Sequence, residues 1–85
     1  MRRGWRKVDD GLFAAVINGS KARCHLVVER LPNGHEWDWT VWRPGEPPEH
    51  ARHGVAASAP AAMRAAEAAA RAWSLRAPPD SSGDP

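Results

Sequence analysis

Residues 24–43 read CHLVVERLPNGHEWDWTVWR, two apolar runs joined through Pro32-Asn33-Gly34, and the way this stretch folds decides the rest of the chain. Asn-Gly between alternating apolar segments is a strong hairpin signal, because a tight two-residue turn needs positive φ at its central positions. Such a turn at Asn33-Gly34 sets Val28 opposite Trp39, Leu26 opposite Val41 and Arg30 opposite Trp37. Successive strand side chains point to opposite faces, so these six share one face. The other parity carries His25, Val27 and Glu29 beside Asp38, Thr40 and Trp42. It places Glu29 opposite Asp38, a like-charge pair costing roughly a few tenths of a kcal/mol. A one-residue slip would separate the two carboxylates but turn the whole apolar set outward, which costs far more.

Working outward, Asn18-Gly19 repeats the turn signal and predicts a second hairpin. Three strands follow, at about residues 12–17, 21–31 and 35–43, with the second in the middle of an antiparallel meander. Phe13 and Ala15 then join Cys24 on the core face. Residues 44–57, PGEPPEHARHGVAA, hold three prolines and two glycines, so the third strand ends near Arg43 and a loop follows. Ser58 suits a helix N-cap and Pro60 is tolerated in the first turn. From there Ala59, Ala62, Met63, Ala66, Ala69, Ala70 and Trp73 recur at helical spacing, while Arg64, Glu67 and Arg71 take the opposite side. Small alanines allow close approach to the sheet, and Trp37, Trp39 and Trp73 are expected to fill the gap. Pro78-Pro79 ends the helix.

The expected fold is therefore α+β, a three-stranded antiparallel meander with one C-terminal helix on one face (β-β-β-α). The domain is expected over residues 11–76, between a flexible basic segment at 1–10 and a disordered tail at 77–85, PPDSSGDP in its main part. The order of Gly34, Trp37-Asp38-Trp39-Thr40-Val41, a loop, and then Gly54, Ala56, Ser58 and Ala65-Ala66-Glu67 resembles many small bacterial proteins. Over residues 11–74 it is also similar to the N-terminal β-β-β-α module of HicB-type antitoxins and to the C-terminal half of double-stranded-RNA-binding domains. That resemblance implies the β-β-β-α order. It does not imply their nucleic-acid contacts, since the helix start SAPAAMR lacks the lysine cluster of the RNA-binding domains and the helix is not followed by a DNA-binding segment.

Composition bounds the function. Eighty-five residues support one core, because a chain this short buries only about two-thirds of its unfolded surface. The chain has five tryptophans, one phenylalanine and no tyrosine, so each large side chain counts. Formal charge is +2, but the basic side chains crowd the start: Arg2, Arg3, Arg6, Lys7, Lys21, Arg23 and Arg30 face only Asp9, Asp10 and Glu29 within residues 1–30. A start of this kind can contact phosphates or simply lie solvated. The single cysteine excludes an internal disulfide and a cysteine-based zinc site. No apolar run approaches the roughly 20 residues of a membrane span, and the chain is expected in the cytoplasm of a bacterium, without a cofactor.

The uncovered sheet face is the candidate site. Leu12, Val16, Val27 and Trp42 are apolar where an exposed face is normally polar, and together they suggest a partner, most simply a second copy in a homodimer. The other solution is that the N-terminal segment, with Trp5 and Val8, folds back across this face. The same face supports a nucleic-acid reading in which Trp42 stacks on bases while Arg23, His25 and Arg43 contact phosphates. The surface residues are thus Leu12, Val16, Arg23, His25, Val27, Trp42 and Arg43. His50 and His53, with Glu49 and His35, have ligand chemistry but sit in a proline-rich loop that does not preset a metal geometry. Cys24 faces the core, where a thiol acts as a small hydrophobe. No nucleophile, base and acid stand at interpretable spacing, so the chain is not expected to be an enzyme.

Overall fold

A computed structural model describes residues 4–18 and 23–75, with the side chains of 74 and 75 excepted. The second hairpin forms in the expected register: Leu26 lies opposite Val41, Val28 opposite Trp39, and Arg30 opposite Trp37. Its strands are β3 (Arg23–Arg30) and β4 (Trp37–Trp42). Its turn differs from the two-residue form. The Gly34 N–H donates to the Leu31 carbonyl at 2.9 Å and the Leu31 N–H to the Glu36 carbonyl at 2.8 Å. Only Gly34 takes positive φ, at 79°, while the Asn33 side-chain oxygen accepts from the N–H groups of His35 and Glu36 at 2.8 and 3.1 Å. Asparagine here closes the loop through its side chain, a common turn role that leaves its own backbone unstrained. The register survives because both loops are centred between Asn33 and Gly34.

The first hairpin pairs β2 (Leu12–Asn18) with β3, and Phe13, Ala15 and Ile17 face the same side as Val28, Leu26 and Cys24. The expected Asn18-Gly19 turn falls outside the described residues. The sheet then departs from the three-strand expectation, since it has five strands in the order β1-β2-β3-β4-β5. β1 (Trp5–Asp9) lies within the segment read as a flexible basic arm, and β5 (Arg52–Ala56) lies within the segment read as a loop. Asp10-Gly11 makes the turn from β1 to β2, with Gly11 at φ 75°. A short 3-10 turn at Pro48–His50 returns the chain for β5. Every neighbouring pair is antiparallel, which hairpins permit and parallel crossovers of this length do not.

The helix α1 (Ala59–Leu75) starts as expected: the Ser58 hydroxyl accepts from the Ala61 N–H at 3.2 Å. It packs across β3, β4 and β5. Ala62, Met63, Ala66 and Ala70 are buried against Cys24, Leu26, Val28 and Val41. The tryptophans are placed differently from the expectation. Trp37, Trp39 and Trp73 pack against this centre but are only partly buried. Trp5 is the buried tryptophan, 7% exposed, and its indole N–H donates to Glu67 Oε2 at 2.7 Å. That bond ties the outermost strand to the helix. Glu67, expected on the solvent side, instead meets the sheet's first strand.

Trp39 lies over β5, where its cross-strand neighbour is Gly54. A Cβ at Gly54 would stand 2.7 Å from Trp39 Cζ2 and 2.8 Å from Nε1. Glycine in a strand interior is otherwise a weak choice, and close approach of a ring is a sufficient reason for it.

Candidate interaction surface

The helix packs on one face of the sheet and no described residue covers the other, and the cross-strand register fixes what this bare face carries. One row runs Leu12, Glu29, Asp38, Val55; the next runs Arg6, Ala14, Val27, Thr40, His53; the third runs Val16, His25, Trp42; Asn18 and Arg23 close the far end. β1 and β5 therefore widen the expected face and add Arg6, His53 and Val55 to it. Val55 is 56% exposed, Val16 47% and Trp42 36%, so β-branched and aromatic side chains stand in solvent along the width of the sheet.

Five chosen members of the surface fall where strand parity put them. Leu12, Val16, His25, Val27 and Trp42 share the bare face, with Arg23 at its end. His25 and Trp42, directly opposed across β3 and β4, stack with ring centroids 5.5 Å apart and planes 19° apart. Stacking on the histidine holds the indole against the sheet. Beside the Val16–His25–Trp42 row, where Ala14 carries only a methyl group, a depression of about 380 Å³ is lined by Gly4, Arg6, Ala14, Val16, Val27 and Trp42.

Arg43 does not belong to this face and is corrected. One residue beyond Trp42, it has the opposite parity, and its guanidinium lies over the Trp73 ring at 5.2 Å on the helix side. Arg52 meets the same ring at 4.5 Å. Two cations thus gather at one indole, a contact worth roughly 0.5–1 kcal/mol where exposed. The Arg43 Nε is buried and has no hydrogen-bond partner among the described residues. Residues 4–10 of the N-terminal segment do not cover the bare face. β1 extends the sheet in its own plane, and Trp5 points to the helix side.

The other candidates separate. His50 Nδ1 lies 2.8 Å from Glu46 Oε1 within the loop, while His53 stands in β5 opposite Thr40 on the bare face. The HxxH pair is split because a strand begins between its members. Among the described residues no three His, Cys, Asp or Glu side chains gather as metal ligands. Cys24 is fully buried as a free thiol. No described helix is long and apolar enough to cross a membrane.

The signal for the missed edge strands was weak but present. Asp10-Gly11 is itself a hairpin dipeptide, and it marks where β1 turns into β2. For β5, RHGVA has too little apolar alternation to stand out from its proline-rich surroundings. No protein-family model matches the chain, and no curated protein and no solved structure matches it either.

Proposed function

We propose that this protein is a small non-catalytic interaction module that self-associates through its bare sheet face. The observation that supports this reading is the solvent-exposed pair Val16 and Trp42, grouped with Leu12, Ala14 and Val27, with Val55 exposed beyond Asp38, on a face that no described part of the chain covers. At about 25 cal/mol per Å² of apolar surface, removing such a patch from water is a substantial driving force. Size is the second support. Five strands at about 4.8 Å spacing and six residues at about 3.3 Å give a face of about 24 by 20 Å. Two such faces bury about 1,000 Å², near the lower limit for a specific interface, where association is weak and reversible. Three strands alone would fall well short of it.

A second reading rests on the exposed His25–Trp42 stack with Arg6 and Arg23 near it, which has the ingredients of a single-strand nucleic-acid platform. Glu29 and Asp38 on the same face oppose a polyanion, and the self-association reading is preferred for that reason. Sedimentation of the wild type and Trp42→Ser over a concentration series tests it. The wild type should shift toward dimer as concentration rises, and Trp42→Ser should remain monomeric while still unfolding in one cooperative transition. A wild type that stays monomeric throughout and binds single-stranded oligonucleotides in a salt-dependent way would reverse the preference.

A further inference from the structure

The charges on the bare face determine how two copies can meet. Glu29 and Asp38 are directly opposed across β3 and β4 at one end of the face. Neither has an ion-pair or hydrogen-bond partner among the described residues. Six residues along β3, at the other end, stands Arg23, whose Nε donates to the neutral Asn18 Oδ1 at 3.2 Å. No carboxylate pairs with it among the described residues. An unbalanced acidic pair and an unbalanced guanidinium thus stand at opposite ends of the face.

We infer that the partner for this face is a second copy of the chain laid with its strands reversed, so that Arg23 of each copy meets the Glu29–Asp38 pair of the other. The inference rests on the self-association reading and adds its geometry. Face-to-face copies are related by a two-fold axis lying in the interface. If that axis ran along the strands, each row would face itself, and four carboxylates would meet at one end while two guanidinium groups met at the other. If it runs across the strands at the level of Leu26, β3 lies over β3 of the partner subunit with opposite direction, and residue 23 stands over residue 29. The charges then close twice per dimer, and the repulsion between Glu29 and Asp38 is relieved by a cation. Sheets that pack face to face keep their strands within about 30°, about 10 Å apart, which is compatible with this alignment.

The relief of the surface agrees with the same axis. The two-fold at the level of Leu26 sets Val16 of the partner subunit over Ala14, the small side chain that lines the depression. Trp42 correspondingly meets the smaller Thr40 of the partner subunit. Large side chains thus oppose small ones, the pattern that lets two faces interdigitate. An axis along the strands would instead set the Val16–His25–Trp42 row against itself.

Charge exchange tests the arrangement, using sedimentation velocity at low and high salt with a melting curve for each variant. Arg23→Glu puts a carboxylate against two others and should weaken the dimer about tenfold or more, since like charges opposed across an interface cost heavily. The triple variant Arg23→Glu, Glu29→Arg, Asp38→Arg exchanges the charges of the paired groups and should restore association to near the wild-type strength. Arg23→Gln, which introduces no repulsion, should lie between. An Arg23→Glu variant that dimerises like the wild type, while Trp42→Ser does not, overturns the reversed arrangement and leaves the self-association reading standing. A wild type that is monomeric at every concentration overturns both.

Discussion

Adding one methyl group at Gly54 should destabilise the protein, although the same change in an ordinary strand would be neutral or helpful. Alanine restricts the unfolded chain, and in a strand it removes the penalty of glycine, a gain of about 0.5–1 kcal/mol. Against that stands the Trp39 indole. The new Cβ would lie 2.7 Å from Cζ2 and 2.8 Å from Cε2 and Nε1, well inside contact distance. Those atoms belong to the rigid body of a ring, so one torsion cannot swing them clear. Trp39 also packs against the buried core. Overpacking of this kind costs about 1–3 kcal/mol, so the net loss should be about 1–2 kcal/mol. For a chain of this size each kcal/mol moves Tm by about 4–8 °C, and the expected drop is about 5–15 °C. The assay is thermal unfolding by circular dichroism of wild type, Gly54→Ala, Trp39→Val and the double variant. In the Trp39→Val background the clash is gone, and Gly54→Ala should there be neutral or stabilising, which gives a coupling energy at least as large as the single-variant loss. If Gly54→Ala raises Tm in the wild-type background, Trp39 does not lie over Gly54 and the placement of β5 is wrong.

Trp5→Phe keeps most of the buried ring but removes the indole donor to Glu67, and should cost about 1–2 kcal/mol in urea unfolding; no loss would show that the strand-to-helix tie contributes nothing. Ser58→Ala removes the cap on the Ala61 N–H and should lower stability by about 1 kcal/mol, with the helix signal in circular dichroism otherwise retained. Trp42→Ser, in contrast, should alter chiefly the sedimentation behaviour, with a Tm loss of about 4–8 °C for the roughly 1 kcal/mol of partly buried ring and His25 stacking it gives up.

The second hairpin and the helix were legible because their signals are local. Period-two alternation through residues 24–30 and 37–42, and the three-and-four spacing of the alanines, each follow from the geometry of one element. Face assignment came with them, and so did the bare-face set of Leu12, Val16, His25, Val27 and Trp42, since parity needs no knowledge of the partner strand. Even the Glu29–Asp38 opposition followed, because two candidate turns share the same centre. What the sequence could not settle were quantities that depend on other elements. β1 and β5 are edge strands, paired on one side only and marked by charged residues such as Arg6, Lys7 and Arg52, a composition that protects an edge from aggregation and conceals it from pattern reading. Arg43 needed only parity to be placed on the helix side, but its attraction to Trp73 required the position of the helix. The order of burial among the tryptophans depended most on tertiary structure. All are large and apolar enough for a core, yet Leu26, Val28 and Val41 take the fully buried centre, and Trp37, Trp39 and Trp73 pack against it partly exposed. Trp5 alone is buried, because the strand that carries it is joined to the sheet edge by a turn and to the helix by Glu67. Hydrophobicity selects which residues leave water, and the distance between the packed layers selects where each one fits.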